Sequence, residues 1–522
     1  MVGGTGVIDR VDWPVTRVEF AVLISGITSM GMEILAGRII APSYGSSIFT
    51  WGSIIGVFLA ALSLGYWLGG KRASENATTG RLAWLLVASA AYVAVILYLR
   101  QGILLIGLNL DIPARYAPLI PVTVLFGPPT YFLGFISPYG AELSRKVDVG
   151  EASGHVYALG TIGSIAGAFA TTFYLVPTYS IDVVGLAFGF LLLLSALVVA
   201  HDAVSWRSGL KAVGVSVLLI SAGVTTPAFS YVSGEVVHQE QTQYQRITVA
   251  EEGDVRTMYS NGHPQSTMDM SDPKRYVHSY TRYFLMPWLM TDEPGQIDRV
   301  LVIGGGGFTG SRQIAWRTNA TVDAVEIDPG VIRNARKYFN LTDTERLNVI
   351  NAPGRRYLRE TNRTYDLIIL DAFKKDQMPF QLTTEEFFRL ASDRLSEHGF
   401  LYVNGIGTLD GQSSQMYRAQ VRTLERVYPQ VYVFPVTYGE NVVTNIQLIA
   451  AKDPDRVSQS TLAEHNRRRN VDINLSEEIT HYETDVETGD VPVLRDDHAP
   501  VDQLTSPLIG RRLDVEQHEA TG

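Results

Sequence analysis

Across the first 230 residues, polar side chains thin out into seven apolar runs, near 18–40, 48–70, 82–104, 118–140, 156–177, 181–200 and 209–230. Each holds about 20 residues or more, the length a helix needs to cross a hydrocarbon core of roughly 30 Å. The first run is followed by others and lacks a small-residue cleavage site, so it reads as a span and not as a removable leader. Gly127-Pro128-Pro129 marks 118–140 as the run least expected to cross.

The pattern then changes. Gln245–Val249 and Val255–Tyr259 alternate in the manner of strands, and Asn261-Gly262 supplies hairpin-turn chemistry, which predicts a small antiparallel β region over 236–275. From residue 300 onward, short apolar strands alternate with amphipathic helices. The strands are Val300–Ile303, Val322–Val325, Leu347–Ile350, Asp366–Leu370 and 399–404, and the helices include 329–338 and 383–395. Such alternation predicts a parallel sheet with its site at the strand C-termini. The expected architecture is an α-helical transmembrane bundle (18–230, after an N-terminal segment 1–17), then the β region, then an α/β Rossmann-like domain over 276–455. A polar, acidic region fills 456–522, its last 35 or so residues expected to be only partly ordered.

Charge follows the same division. Residues 1–230 carry 12 of the 43 Lys and Arg and 11 of the 53 Asp and Glu, leaving 31 basic against 42 acidic residues beyond them. So acidic a soluble half excludes nucleic acid as an expected partner, because phosphates need a basic surface. In the short connections between runs, nine Lys and Arg fall on the side of the N-terminus against Arg100 and Arg115 on the other. The N-terminus is therefore expected in the cytoplasm, and seven spans would place the α/β domain outside. The absence of cysteine excludes disulfides and thiolate chemistry, and the ten histidines show no ligand spacing, so no metal is expected. Glu33 and Arg38 lie inside the first run, where ionisable groups are costly. They read either as a structural ion pair or as part of an ion path. The small residues of 156–170 predict close helix packing.

Candidate chemistry centres on the strand–loop–helix join at Gly304-Gly305-Gly306-Gly307-Phe308-Thr309-Gly310. Glycines 305, 307 and 310 meet the G-x-G-x-x-G spacing, which lets backbone approach a ligand and aims a helix N-terminus at it. The next strand ends in Glu326, placed to accept ribose hydroxyls. A later strand ends in Asp371, on the same edge of the sheet. Lys374, Lys375 and Asp376 read as a solvated loop beside it. Tyr276, Tyr280, Tyr283 and Phe284 share a helical spacing that suits either core packing or an aromatic cage for an amine.

Seven separated blocks carry a resemblance. They are Gln241–Ile247, Asn261–Gln265, Ile303–Gly306, Val325–Ile332, Arg356–Leu358, Tyr365–Asp371 and Leu382–Phe387, spread over roughly 238–410. In order and spacing they resemble the spermidine synthase (polyamine aminopropyltransferase) family. Gly31–Arg38 and Gly45–Ser47 are similar to multi-span regions fused to such domains in prokaryotes. The resemblance implies transfer of an aminopropyl group from decarboxylated S-adenosylmethionine, or use of another adenosyl nucleoside, with a polyamine as partner and a homodimer as assembly. It implies Asp371 as the catalytic residue, and Gly304, Gly305, Gly306, Gly307, Glu326, Gln245 and Gly354 as cosubstrate contacts. Tyr244, Gln265 and Tyr276 would line the amine pocket. Three positions depart from the family pattern: Gly307 stands where the family has the aspartate that grips the aminopropyl amine, Pro353 replaces the aspartate of the adenine-recognising Asp-Gly pair, and Val277 replaces a histidine. The alternatives are a methyltransferase on the same fold, a catalytically silent ligand-binding or scaffold module of a membrane complex, and polyamine transport or sensing through Glu33.

Overall fold

A computed structural model describes residues 16–45, 47–108, 112–144, 149–201, 206–224, 232–293, 295–373, 378–439, 441–469, 472–509, 511 and 513. The chain divides into two compact units. One comprises Met1–Ile40, Trp51–Gly107 and Pro118–Ala228, and the other Ala41–Thr50, Leu108–Ala117 and Phe229–Gly522.

The first unit is helical. Among the described residues, six stretches are long and apolar enough to cross a membrane: Arg17–Tyr44, Ile48–Asn76, Thr79–Leu108, Leu119–Leu143, Gly150–Thr178 and Ile181–Ala200. The expected break at Gly127-Pro128-Pro129 is absent, since both prolines lie inside the helix Leu119–Gly134. The seventh run does form a helix, Trp206–Val224, but its apolar part is only Ala212–Ala222. Lys211 interrupts the run near its start, and residues 225–231 fall outside those described.

Small residues set the packing of this unit. A Cβ on Gly26 would lie 2.2 Å from the Gly160 carbonyl oxygen, and one on Gly163 would lie 2.2 Å from that of Leu23. The first helix and Val149–Ala170 therefore meet backbone to backbone, as the glycines of 156–170 predict. Arg100 is buried and paired with Asp182 at 2.7 Å, which offsets the cost of a guanidinium among apolar helices. Glu33 and Arg38 are both half-buried on the first helix.

The second unit holds two sheets. Strands β1 (Glu235–Gln241), β2 (Arg246–Glu252), β3 (Val255–Ser260) and β4 (His263–Asp269) form an antiparallel meander. Its last turn uses Asn261 and Gly262 at φ 51° and 88°, the left-handed pair their chemistry predicts. The larger sheet comprises β5 (Arg299–Ile303), β6 (Thr321–Glu326), β7 (Leu347–Asn351), β8 (Tyr365–Leu370), β9 (Leu395–Gly407), β10 (Gln430–Pro435) and β11 (Thr444–Ala451). Its order is β10-β11-β9-β8-β5-β6-β7, with β11 antiparallel to both neighbours and the other pairs parallel. The order of strands reverses between β5 and β8, so a crevice opens at the C-terminal ends of those two strands.

The C-terminal region differs from expectation. Helices Gln459–Arg468 and Ser476–Thr480 seat Leu462, Leu475 and Ile479 in the main core. Val491, Leu494, Val501, Leu504 and Leu508 pack with Ile406 and Met416. These apolar residues are spaced singly among charges, so average polarity conceals a segment that buries one side chain every few positions. Residues 514–522 of the expected tail fall outside those described.

Candidate functional site

The glycine loop leaves β5 into the crevice. Gly304 has φ +108°, and a Cβ there would lie 2.3 Å from the Asp371 carbonyl oxygen, so only glycine lets the ends of β5 and β8 come this close. The Asp371 N–H donates to the Ile303 carbonyl at 2.9 Å and the Gly304 N–H to that of Val325 at 2.9 Å, which joins β8, β5 and β6 at this level. Phe308 then adopts φ 57°, an unusual conformation for an aromatic residue, and caps the helix Thr309–Arg317. Its fully buried ring lies under the loop, where a Cβ on Gly305 would come within 2.4 Å of Phe308 Cζ.

Glu326 ends β6 with both carboxylate oxygens engaged by backbone. Oε2 accepts from the Gly305 N–H at 2.8 Å and Oε1 from the Asp328 N–H at 2.7 Å. Burial pushes its carboxyl pKa up, and the backbone bonds of Asp328 and Gly305 pull part of that rise back. Asp328 extends the chain: Oδ1 accepts from the Gly330 N–H at 2.8 Å, capping the helix Pro329–Tyr338, while Oδ2 accepts from Thr242 Oγ1 at 2.7 Å and Gln245 Nε2 at 3.2 Å. Sequence reasoning missed this residue, although Asp-Pro-Gly at a helix start is a capping signal.

Gln245 is therefore placed behind the crevice. Its amide is buried between Asp328 and Ser260, whose hydroxyl donates to Gln245 Oε1. Tyr244, beside it, is exposed. Gln265 is half-buried on β4, with its carbonyl oxygen 3.7 Å from where a Gly306 Cβ would stand. The next residue, Ser266, accounts for the space at Gly307. A Cβ on Gly307 would lie 2.7 Å from Ser266 Oγ and 3.2 Å from Phe339 Cδ1, so no carboxylate fits there unless Ser266 moves. Ser266 Oγ lies 2.9 Å from Thr309 Oγ1, which leaves two neutral hydroxyls beside the loop.

Tyr276 is buried and lines a small cavity with Thr267, His278, Thr309 and Gln313. Burial lowers the His278 imidazole to about 4, so it is neutral at pH 7, and its Nε2 lies 2.8 Å from Thr267 Oγ1. Arg275, also on this wall, is paired with Asp269 at 2.8 Å. Gly354 opens the helix Gly354–Glu360, where a Cβ would lie 2.4 Å from Ile303 Cγ2. Its lack of a side chain thus seats that helix against the end of β5.

Asp371 is half-buried at the end of β8. Burial pushes its carboxyl up to about 7, against a lowering hydrogen bond from Asn404 Nδ2 to Oδ1 at 2.7 Å. Burial, and next the Asp371 charge, hold the Tyr280 phenol well above its ordinary range, so it remains a neutral hydroxyl facing that carboxylate. Tyr283 and Phe284 resolve their ambiguity as core residues. Lys374, Lys375 and Asp376 lie outside the described residues.

The strand ends thus gather Gly304–Gly307, Glu326, Gly354 and Asp371, with Gln265 and Tyr276 on the adjoining wall. Gln245 joins Glu326 through Asp328, and Tyr244 is its exposed neighbour. Chemically, the arrangement offers a half-buried glycine loop, a fixed carboxylate at the β6 end, and at the β8 end, 45 positions beyond Glu326, a second carboxyl held near 7.

Comparison with known proteins places the chain in a family. Residues 278–454 match the family model described as the spermine/spermidine synthase domain. The chain is similar to the polyamine aminopropyltransferase of Vibrio vulnificus, at 30% identity over 229 residues, covering 42% of this chain and 74% of that protein. Similarity to polyamine aminopropyltransferase 2 of Aquifex aeolicus is 21% over 458 residues and takes in 81% of this chain and 86% of the relative. Among solved structures, the spermidine synthase of Thermotoga maritima aligns over 42% of this chain and 74% of its own, with 24% identity and a TM-score of 0.35.

Proposed function

The chain belongs to the spermine/spermidine synthase family, and from that premise we propose that it is a membrane-anchored aminopropyltransferase that uses Asp371 to accept the proton of an amine substrate. The observation that carries the reading is the Asp371 carboxyl, held near 7 at the crevice beside the glycine loop. Decarboxylated S-adenosylmethionine would supply a carbon made electrophilic by its sulfonium neighbour. An amine attacks such a carbon only as the neutral base. Its lone pair forms the N–C bond, the C–S pair returns to sulfur as a thioether, and the proton leaves the nitrogen. Asp371 is placed to take that proton and, while ionised, to hold a cationic amine.

The nucleoside part of the donor suits the residues present. Glu326 keeps lone pairs for ribose hydroxyls beyond its two backbone bonds, and the loop amides can meet the donor closely. The aminopropyl ammonium has no counterpart to the family's aspartate at Gly307, where Ser266 and Thr309 offer neutral oxygens instead. In the test, the full-length protein in detergent receives the donor with putrescine, spermidine or agmatine, and products are weighed by mass spectrometry. An amine heavier by one aminopropyl group is expected, and its absence with all three would overturn the reading.

The apolar helices support insertion in a membrane. Trp206–Val224 forms a seventh helix, but its apolar part, Ala212–Ala222, covers only about 16 Å of the roughly 30 Å of a hydrocarbon core, so six passes are supported among the described residues. With basic connections facing the cytoplasm, six passes bring the α/β domain to the cytoplasmic side, whereas the seven expected from the sequence would bring it outside. Protease added to intact cells is expected to spare that domain until the cells are lysed. Cutting in intact cells would place it outside.

A further inference from the structure

Behind Asp371 lies a closed chain of buried amides that the transfer chemistry above does not use. Asn404 on β9 donates from Nδ2 to Asp371 Oδ1 at 2.7 Å. Its own Oδ1 accepts from Asn445 Nδ2 at 3.0 Å and from Gln447 Nε2 at 3.1 Å, both on β11. Gln447 Oε1 in turn accepts from the Tyr402 hydroxyl at 2.5 Å. Asn404, Asn445, Gln447 and Tyr402 are all buried. The antiparallel register of β9 and β11 sets Gln447 directly opposite Asn404, so the contact is built into the sheet.

The direction of this chain is fixed at its Asp371 end, where an ionised carboxylate can only accept. The Asn404 NH2 therefore faces Asp371 Oδ1, its oxygen takes the NH2 groups of Asn445 and Gln447, and the Tyr402 hydroxyl, able to donate or accept, donates to the remaining Gln447 oxygen. If the Asn404 amide flipped, its NH2 would face two other NH2 groups and its oxygen would face a carboxylate. Neither contact is favourable in a buried site. While Asp371 is ionised, Asn404 is thus held as the donor to Oδ1, and the other oxygen, Oδ2, is left as the place where a proton can bind.

We infer that Asn404, locked by Asn445 and Gln447, is a positioning residue that keeps the Asp371 carboxylate ionised and directs proton transfer to its Oδ2 oxygen. This inference rests on Asp371 being the proton acceptor. Among the described residues, the titratable groups facing Asp371 are the phenols of Tyr280 and Tyr402, both pushed well above their ordinary range by burial and then by the Asp371 charge. Neither titrates near pH 7, so a transition there reports on Asp371 itself. A hydrogen bond to a charged group contributes enough that its loss moves a pKa by about 1–2 units.

Two readouts on the full-length protein test this. In the pH profile of kcat/KM, Asn404→Leu is expected to move the lower limb up by about 1–2 units and to recover much of the lost rate at high pH. A loss that is equal at every pH, with the limb unmoved, would reduce Asn404 to a packing residue and overturn the inference. Thermal unfolding at pH 5.5 and 8.5 needs no activity. Asn404→Leu is expected to lower Tm more at pH 8.5, where Asp371 is ionised, and that extra loss should vanish in an Asp371→Asn background. The same loss at both pH values would sink the inference. An extra loss at high pH in a protein with no transferase activity would keep Asn404 as the group that stabilises the Asp371 charge and reject only the reading of Asp371 as base.

Discussion

Asp371→Asn is expected to lower kcat/KM by about 10²–10⁴-fold, the range over which a positioned general base contributes. The substitution keeps the shape of the side chain and an oxygen for Asn404 to meet, but removes the group that accepts the amine's proton. It should also abolish the rise of kcat/KM with pH that is centred near 7 in the parent, where Asp371 passes from neutral to ionised. Stability should move the other way. A carboxyl whose folded pKa lies above its unfolded value penalises the fold once pH exceeds the unfolded value, and the penalty is complete above the folded one. Asp371→Asn should therefore raise Tm at pH 8 relative to the parent and show no such gain below about pH 4. A variant that retains the parent's rate and its transition near 7 would remove Asp371 from the chemistry.

Glu326→Ala should produce the second large effect, on binding and on folding together. The lost carboxylate leaves the buried N–H groups of Gly305 and Asp328 without acceptors, at about 1–3 kcal/mol each. The glycine loop and the start of the helix Pro329–Tyr338 would lose their common tie, so a clear fall in Tm is expected. Each charge-assisted bond to a ribose hydroxyl is worth about 1.5–3 kcal/mol, so affinity for an adenosyl nucleoside should fall by roughly 10- to 150-fold per bond. Glu326→Gln keeps one oxygen to accept an N–H, and it should lose less stability than the alanine variant while still losing affinity. Calorimetric titration alongside thermal unfolding separates the two effects. Unchanged affinity in both variants would mean that Glu326 serves only to hold the loop.

Much of this site was legible along the chain because its parts lie in one short stretch. The β5 strand, the glycines and Glu326 fall within 299–326 and follow a spacing whose physical reason is local. Asp371 was legible too, as the polar end of an apolar strand. What escaped reading came from distant strands. Asn404, Asn445 and Gln447 look like ordinary polar positions inside β9 and β11, and only the register of those strands turns them toward Asp371. Ser266 likewise gains meaning only when β4 brings it against Gly307. From its place in a matching block Gln245 reads as a cosubstrate contact, and the structure adds that its amide bonds to Asp328 and Ser260.

The helical half was legible in length more than in detail. Apolar runs gave the positions of the helices, and the glycines of 156–170 anticipated their close approach. Gly127-Pro128-Pro129 misled, because prolines within a long apolar helix need only local accommodation and do not force its end. At the other end of the chain, single apolar residues scattered among charges from 459 to 508 fold onto the core although the segment's composition reads as solvated.

The central claim is that the cradle of Gly304–Gly307, Glu326 and Asp371 is a working donor site despite glycine at 307 and proline at 353. The most direct measurement is a calorimetric titration of the full-length protein with decarboxylated S-adenosylmethionine and, separately, with S-adenosylmethionine. The account predicts saturable binding of the decarboxylated donor, weakened by Glu326→Gln. Failure of either nucleoside to bind the folded protein would contradict it.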